Sequence, residues 1–393
     1  MTMNTGKTHI LIAGTYSPTD AYPNVRYKVE CIKSLENVVV DEVNFPLNTR
    51  LDYRKGFGRY LDLTRLAVTT LLKSLVIARH VIHNRKTDVL YIPYPAVHLL
   101  WLLGWVPRSF RPRRIVADIF ISLYETVVLD RGLLKRDGIP ARLIRHIEQS
   151  SYRNADLLLT DSPENSRYFA ALFDIAAICF HDLPLAINET LFSPVGDVAP
   201  RCEKFRVLFV GTMVPLQGIE RLCEAITALP PTLPMEFILV GDGQQAPLIE
   251  SFLAHWKSVD PNGVEIRWQR EWMNSAELAG LIRSADLCIG ILGHGGKASR
   301  VWPLKNYLYM ACGKPLATAN GLVAQRLLAG QNDSVPFLTV DCSTPTALVQ
   351  LLKNAPDRQQ ELLAIGTAAR CFYEQYLSRQ ATRHKLAQLL AGE

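Results

Sequence analysis

Cysteine pairs, metal-ligand clusters and long apolar runs are missing from this sequence, and each absence removes a class of protein. The eight cysteines (Cys31, Cys179, Cys202, Cys223, Cys288, Cys312, Cys342 and Cys371) form no C-x-x-C pair, and most sit inside apolar runs such as Leu287-Cys288-Ile289. That placement predicts buried, reduced thiols in a cytoplasmic protein and argues against a disulfide framework or a zinc site. No Asp-x-Asp motif and no histidine cluster is present, so no metal is expected. No run reaches the roughly 18 apolar residues that span a bilayer. The opening MTMNTGKTHILIAG has no apolar signal core and enters a strand pattern directly, so no signal peptide is expected. Charge of one sign is also scarce: the net +6 is spread over both halves and is too weak for a nucleic-acid footprint. Low-complexity segments and repeats of about 20–50 residues are absent too.

What is present is an α/β alternation in a chain of globular composition, 48% hydrophobic and 20% charged. At 393 residues it exceeds the roughly 250–300 at which a single core stops growing, so two domains are expected. Apolar runs of strand length fall at His9–Ala13, Val38–Val43, Asp88–Tyr94, Arg114–Phe120 and Asp156–Leu159. They recur at Phe205–Val210, Glu236–Val240, Val264–Gln269, Asp286–Leu292 and Phe337–Val340. Helical stretches such as Tyr60–His83, Pro247–Trp256, Ser275–Ser284 and Thr344–Asn354 separate them, which predicts parallel sheets with right-handed crossovers. Asp161 precedes a further helix, Glu164–Phe173, and is read as its cap.

The stretch Asp286–Gly321 stands out. Its strand run is followed by Gly293–Gly296, too glycine-rich for regular structure, and then by a helix Leu304–Cys312 that stops at Gly313. A strand, a glycine loop and a helix N-terminus hold anions through backbone N–H groups and the helix dipole. With Lys297, Arg300 and Lys305 on one turn and helix entry, a diphosphate is the expected guest. A plain connection between strand and helix reads equally well from the spacing alone.

The string KASRVWPLKNYLYMACGKPLAT resembles the K-A-x-R-V-I-P-N-K-x-Y-E-x-L-A-x-G-K-P-V-I-T segment of family-four retaining glycosyltransferases of the GT-B fold. The resemblance covers Lys297, Arg300, Pro303, Lys305, Tyr307, Ala311, Gly313, Lys314 and Pro315. GTMVPLQGIE after Phe205–Val210 is similar to the family's G-T-x-x-P-L-Q-G-I loop, and DIFISLYET to its D-x-F-x-S-L-Y-D-T segment, with Glu125 for aspartate. The resemblance implies an α/β chain of two Rossmann-like domains facing each other across a cleft. It also implies transfer of a sugar, with retention, from a nucleotide-diphosphate donor to a glycan or lipid-linked acceptor in cell-surface polysaccharide synthesis. No cofactor beyond the nucleotide sugar, which is the donor substrate, and no metal is implied.

The same resemblance implies catalytic roles for Asp118, Lys297 and Arg300. Donor binding would fall to Gly14, Gly211, Thr212, Gln217, Gly218, Gly241, Asp242, Glu271, Trp272, Lys305 and Asn306, with Ser122, Tyr124 and Glu125 on the acceptor side. Gly14 also reads as a turn glycine and Asp118 as a turn cap. On the donor side three positions depart from the family: Leu308, Thr212 and Gln217. Leu308 stands where its glutamate holds the ribose hydroxyls, and a leucine accepts no hydrogen bond. Relatives often carry an arginine and a lysine at the equivalents of Thr212 and Gln217, which leaves Lys297 and Arg300 as the necessary cations.

Domain boundaries follow from the proline-rich run DLPLAINETLFSPV, Asp182 to Val195. A first domain is expected over residues 1–195, a nucleotide-sugar domain over 196–370, and a C-terminal helix over 371–393 packed back on the first. Both late helical stretches, Gln359–Tyr376 and Arg379–Leu390, are expected to make that return. Val97–Val106 is an apolar helix with two tryptophans, followed by Arg108, Arg111, Arg113 and Arg114. It reads either as a core helix with a solvated loop or as a peripheral contact with an anionic inner-membrane face. Two other functions stay open: a GT-B sugar-nucleotide epimerase, and a non-catalytic binding protein, which Leu308 favours.

Overall fold

Runs such as Ile10–Ala13 and Val207–Val210 are apolar at every residue, a pattern that only a strand covered on both faces can use. The computed structural model describes residues 7–19, 22–47, 60–200, 203–258, 263–271, 273–331 and 334–391. Twelve strands are found among them: β1 (Thr8–Gly14), β2 (Val38–Asn44), β3 (Val89–Ile92), β4 (Arg114–Asp118), β5 (Leu157–Thr160), β6 (Phe180–Asp182), β7 (Phe205–Val210), β8 (Met235–Val240), β9 (Glu265–Gln269), β10 (Leu287–Ile289), β11 (Leu316–Ala319) and β12 (Leu338–Val340). Every ladder is parallel, and the two six-stranded sheets run β2-β1-β3-β4-β5-β6 and β12-β11-β10-β7-β8-β9.

The chain forms two compact units, Met1–Ala186 with Arg379–Glu393, and Ile187–Ser378. In the first, successive strand residues feed opposite faces. Leu11, Ala13, Leu90, Ile92, Ile115 and Ala117 join one core, while Ile10, Ile12, Val89, Tyr91 and Val116 join the other. The second core also includes Leu386, Leu389 and Leu390 of the last helix, Arg379–Ala391, which lies on helix Pro23–Lys33. Ion pairs Arg379–Glu30 (3.2 Å) and Lys385–Asp182 (2.6 Å) fix it there.

The first crossing falls at Ala186, whose N–H donates to Asn24 Oδ1 at 2.9 Å. The segment after it is bolted to the second unit. Arg283 donates to the carbonyls of Asp197 (2.6 Å) and Leu191 (2.9 Å). The late helix Gln359–Phe372 also stays in the second unit, where Arg370 donates to Ala311 O at 2.6 Å and Gly366 meets the Gly313 backbone. The return therefore starts at Arg379, and only the last helix makes it.

Two strands were not read from the sequence, β6 and β11, and both are short. The run Asp286–Leu292 contributes only Leu287–Ile289 to the ladder. Ile291 and Leu292 instead bond the neighbouring loops, Ile291 O accepting from Ala319 N (2.7 Å) and Leu292 N donating to Gln217 O (3.0 Å). The helix Pro163–Phe173 is capped by Ser162, whose hydroxyl accepts from Asn165 N at 3.1 Å; Asp161 binds the Asn165 side chain. No helix among the described residues is long and apolar enough to cross a membrane.

Candidate functional site

Each sheet reverses its winding once: between β1 and β3 in the first unit and between β7 and β10 in the second. Open parallel sheets bind ligands outside the carboxyl ends of the strands at such a point. In the second unit the loops leaving β7 and β10 meet backbone to backbone. A Cβ on Gly218 would lie 2.5 Å from Gly293 N, and one on Gly293 would lie 2.3 Å from Leu216 O, so no side chain fits at either place. Gly218 also holds φ +68° as it opens the helix Ile219–Thr227. Beyond this contact, Gly295 and Gly296 take φ of +68° and +51° with open space around both, and the short helix Gly296–Arg300 follows. Lys297 and Arg300 lie on that helix, half-buried.

The helix Leu304–Ala311 is tied to the sheet where Val210 N donates to Tyr309 Oη at 3.0 Å, and it ends at Gly313 with φ +66°. Its first turn buries groups that have no partner. Lys305 Nζ sits 3.7 Å from the centre of the Phe209 ring with no hydrogen bond. Burial pushes its pKa well below the ordinary lysine value. Both amide atoms of Asn306 are buried and unbonded, as are Gln217 Oε1 and Trp302 Nε1. A Cβ on Gly290 would come within 2.7 Å of Asn306 Oδ1, and a Cβ on Gly211 within 3.2 Å of Gln217 Oε1, so both amides lie against the loop glycines. Buried polar atoms are almost always bonded, since leaving one unmade costs about 1–3 kcal/mol. Asn306 and Gln217, unbonded against the glycines after β10 and β7, with Lys305 over the Phe209 ring of β7, mark a place where donors and acceptors await a guest.

The remaining donor-side residues of this unit fall around the β8 and β9 ends. Gly241 O accepts from Trp268 Nε1 (2.8 Å), and Asp242 is held by Gly243 N (2.8 Å) and Arg270 (3.1 Å), so its carboxylate closes a turn. Thr212 and Glu271 are exposed. Trp272 lies outside the described residues. Leu308, in place of the family's glutamate, is buried.

The first unit answers differently. Asp118, the last residue of β4, is 1% exposed and pairs with the fully buried Lys28 at 2.8 Å. Tyr91 lies against the same carboxylate, and its hydroxyl pKa is raised by burial first and by Asp118 next. The pair ties helix Pro23–Lys33 to the sheet through Asp118 Oδ2, while Asp118 Oδ1 is buried without a hydrogen bond. Ser122, Tyr124 and Glu125 are also buried. Glu148 organises them: it accepts from Ser122 Oγ (2.8 Å), Leu123 N (2.7 Å), Tyr124 N (2.9 Å) and Tyr152 Oη (2.9 Å). Burial lifts the Glu148 pKa, with the four donors working the other way. Glu148 was not read from the sequence, where it is one charge on an amphipathic helix.

At this unit's switch point, Gly14 packs on Tyr16 and Pro93, and Thr15 Oγ1 lies 2.9 Å from His98 Nε2. Burial holds His98 down at about 4, so at neutral pH it is an uncharged hydrogen-bonding group. Its only signal in the sequence was a histidine in an apolar run. Three of the four arginines after Val106 have partners within this unit, and Arg113 is exposed. Arg108 grips both oxygens of Asp156 at 2.8 Å, Arg111 donates to Val106 O, Asn154 and Gly104 O, and Arg114 reaches Leu390 O.

No protein-family model matches the chain, and no curated protein sequence matches it. Solved structures do. Sucrose-phosphate synthase from Thermosynechococcus elongatus is similar with a TM-score of 0.71 at 16% identity, over 98% of both chains. HepE from Anabaena, solved in complex with UDP and glucose, gives 0.64 at 15% identity over 98% of this chain and 100% of its own. The lipopolysaccharide outer core galactosyltransferase WaaB gives 0.62 at 11% identity over 98% and 99%. Identities this low show the fold, and the fold is GT-B.

Proposed function

We infer that this chain is a glycosyltransferase that moves a sugar from a nucleotide-diphosphate donor to a glycan or lipid-linked acceptor, with retention and without a metal. The observation that carries the reading is the unbonded set Lys305, Asn306 and Gln217 at the ends of β7 and β10, from which the chain runs on to the open Gly295–Gly296 loop. Backbone N–H groups of that loop and the cations Lys297 and Arg300 supply what a leaving diphosphate needs as its charge develops. An ammonium buried without a counter-ion is costly, and an anion brought alongside it removes that cost. Structural neighbours point the same way: HepE holds UDP and glucose, and WaaB is a galactosyltransferase of lipopolysaccharide, which supports a place in cell-surface polysaccharide synthesis.

Asp118 acts here as a positioning residue for β4. The neutral Thr15–His98 pair at the first unit's switch point is the group suited to orient a hydroxyl. The buried Leu308 favours a second reading, a protein that binds the nucleotide sugar without turning it over.

Turnover of a panel of labelled nucleotide sugars, with membrane extract as acceptor source and with a chelator in parallel, tests this. Transfer that survives chelation is the expected outcome. Abolition by the chelator with rescue by Mn²⁺ sinks the metal-free mechanism, binding without turnover selects the second reading, and absence of any nucleotide-sugar binding overturns both.

A further inference from the structure

The first unit has a second concave surface, at the other end of β1 from Gly14 and the switch point. A cleft of about 530 Å³ opens there, lined by His9 of β1, Asp41 of β2, and Asn84, Arg85, Lys86 and Thr87 of the turn after helix Tyr60–His83. That volume falls within the ~300–1,000 Å³ of small-ligand sites. The turn is tied down: Asn84 Nδ2 donates to His80 O at 2.9 Å, and Thr87 donates to Asn84 O through Oγ1 (2.6 Å) and N (3.0 Å). Arg85, between them, lies over the Phe110 ring at 4.9 Å, a contact that holds the guanidinium and leaves its N–H groups for another partner.

Elsewhere on this unit surface charges find partners. Glu42, next to Asp41, is taken by Lys33 and Tyr16, and Arg26 meets Glu30 at 3.1 Å. In the cleft, the side chains of Asp41, Arg85 and Lys86 have no hydrogen-bond or ion-pair partner among the described residues. Basic residues collect at helix C-termini to complement the dipole, which accounts for His80 and His83 but not for a carboxylate facing them from another element. The wall selects its guest. Arg85 and Lys86 offer charge-assisted donors to a carboxylate or phosphate, while Asp41 and Asn84 offer acceptors to hydroxyls. A bare anion is repelled by Asp41, and a neutral sugar leaves both cations unused. We propose that this cleft binds a sugar that carries a carboxylate or phosphate, its acid group on Arg85 and Lys86 and its hydroxyls on Asp41 and Asn84. The cleft is separate from the switch point, and the proposal does not depend on the transferase reading.

Calorimetric titration of the full chain tests it, with excess UDP present so that a donor site does not take the probe. The probes are a glucuronate–N-acetylglucosamine tetrasaccharide, the neutral N-acetylglucosamine tetramer, glucose 1-phosphate and inorganic phosphate. An acidic sugar should bind about tenfold or more tighter than the neutral tetramer and than inorganic phosphate. Arg85→Gln should lower that affinity about tenfold and Asp41→Asn severalfold, and both variants should melt at the wild-type temperature because the two side chains are exposed. Preference for the tetrasaccharide assigns the cleft to an acidic glycan chain, and preference for glucose 1-phosphate assigns it to a free sugar phosphate. Equal binding of the neutral tetramer or of inorganic phosphate overturns the proposal, as does wild-type affinity in Arg85→Gln or no binding of either acidic sugar.

Discussion

The two units share a parallel six-stranded sheet with one winding reversal, and two places in them differ in how their buried polar groups are bonded. In the first, Asp118 meets Lys28, Glu148 meets four donors and Thr15 meets His98. In the second, Lys305, Asn306, Gln217 and Trp302 meet no hydrogen-bond partner. Paired groups hold a fold together, whereas unpaired ones weaken it and persist where a ligand completes them. Unbonded atoms occur in the first unit too, at Asp118 Oδ1, Tyr91 Oη and Asn24 Nδ2, so what sets the second place apart is that its unbonded amides lie against the glycines of two loops at a switch point.

The sharpest test of this contrast is stability. Lys28→Met leaves Asp118 buried without its cation and should destabilise the first unit by about 3–5 kcal/mol, while Lys28→Met/Asp118→Leu should regain much of that. Lys305→Met removes no partner and should leave the melting temperature of the ligand-free protein unchanged or higher. Thermal and urea unfolding of the three variants read this directly; a large loss for Lys305→Met would erase the distinction.

Next in size is catalysis. Arg300→Ala should lower the transfer rate by ~10²–10³ with a smaller loss of donor affinity, because its interaction grows with charge on the leaving group. Lys305→Met should weaken nucleoside diphosphate binding at least as much as it slows transfer, since its ammonium is stabilised as soon as the anion arrives. Calorimetric affinity and single-turnover rate, measured separately, distinguish the two patterns. Wild-type values for both variants would make the glycine loop a connection only.

The smallest expected signal is a proton. Burial lowers the Lys305 pKa in the ligand-free protein, and an adjacent diphosphate raises it again, so binding should draw protons from the buffer. Binding heats of UDP in buffers of different ionisation enthalpy should then differ in the sense of uptake, and affinity should rise as pH falls through the window between the two pKa values. The sign for stability is the reverse. The unfolded chain holds more protons on Lys305 than the folded one, so the ligand-free protein gains stability as pH rises from the depressed folded value towards the ordinary value of 10.5. Identical heats in all buffers, with UDP bound, would show that Lys305 stays in one protonation state.

Much of this was legible in the sequence, and the limits have physical causes. Val207–Val210 is apolar throughout and buried on both faces, and in the Gly293–Gly296 loop Gly293 is where two backbones touch while Gly295 and Gly296 hold positive φ, so both announced themselves. β6 and β11 did not, because strands of three or four residues rely on the ladder around them more than on their own pattern. Lys28 and Asp118 are 90 residues apart, and nothing local in either segment says that a cation waits opposite. Lys305 was read with Lys297 and Arg300 as a cation beside a diphosphate, and its burial was not legible from the spacing. The partners of Arg108, Arg111 and Arg114 were not legible either, because composition records charge and not the partner each charge finds.

The late return of helix Arg379–Ala391 has a consequence for how the protein comes to be. Leu386, Leu389 and Leu390 cover Ile10, Ile12, Val25 and Val29, so an emerging nascent chain must carry that first sheet half-clothed through the synthesis of the whole second unit. During that interval the apolar face is open to anything nearby, which makes it a natural client for a chaperone on the ribosome. A chain cut after Ser378 would hold every residue of the second unit and every strand of the first, and would still carry that open face for its entire lifetime.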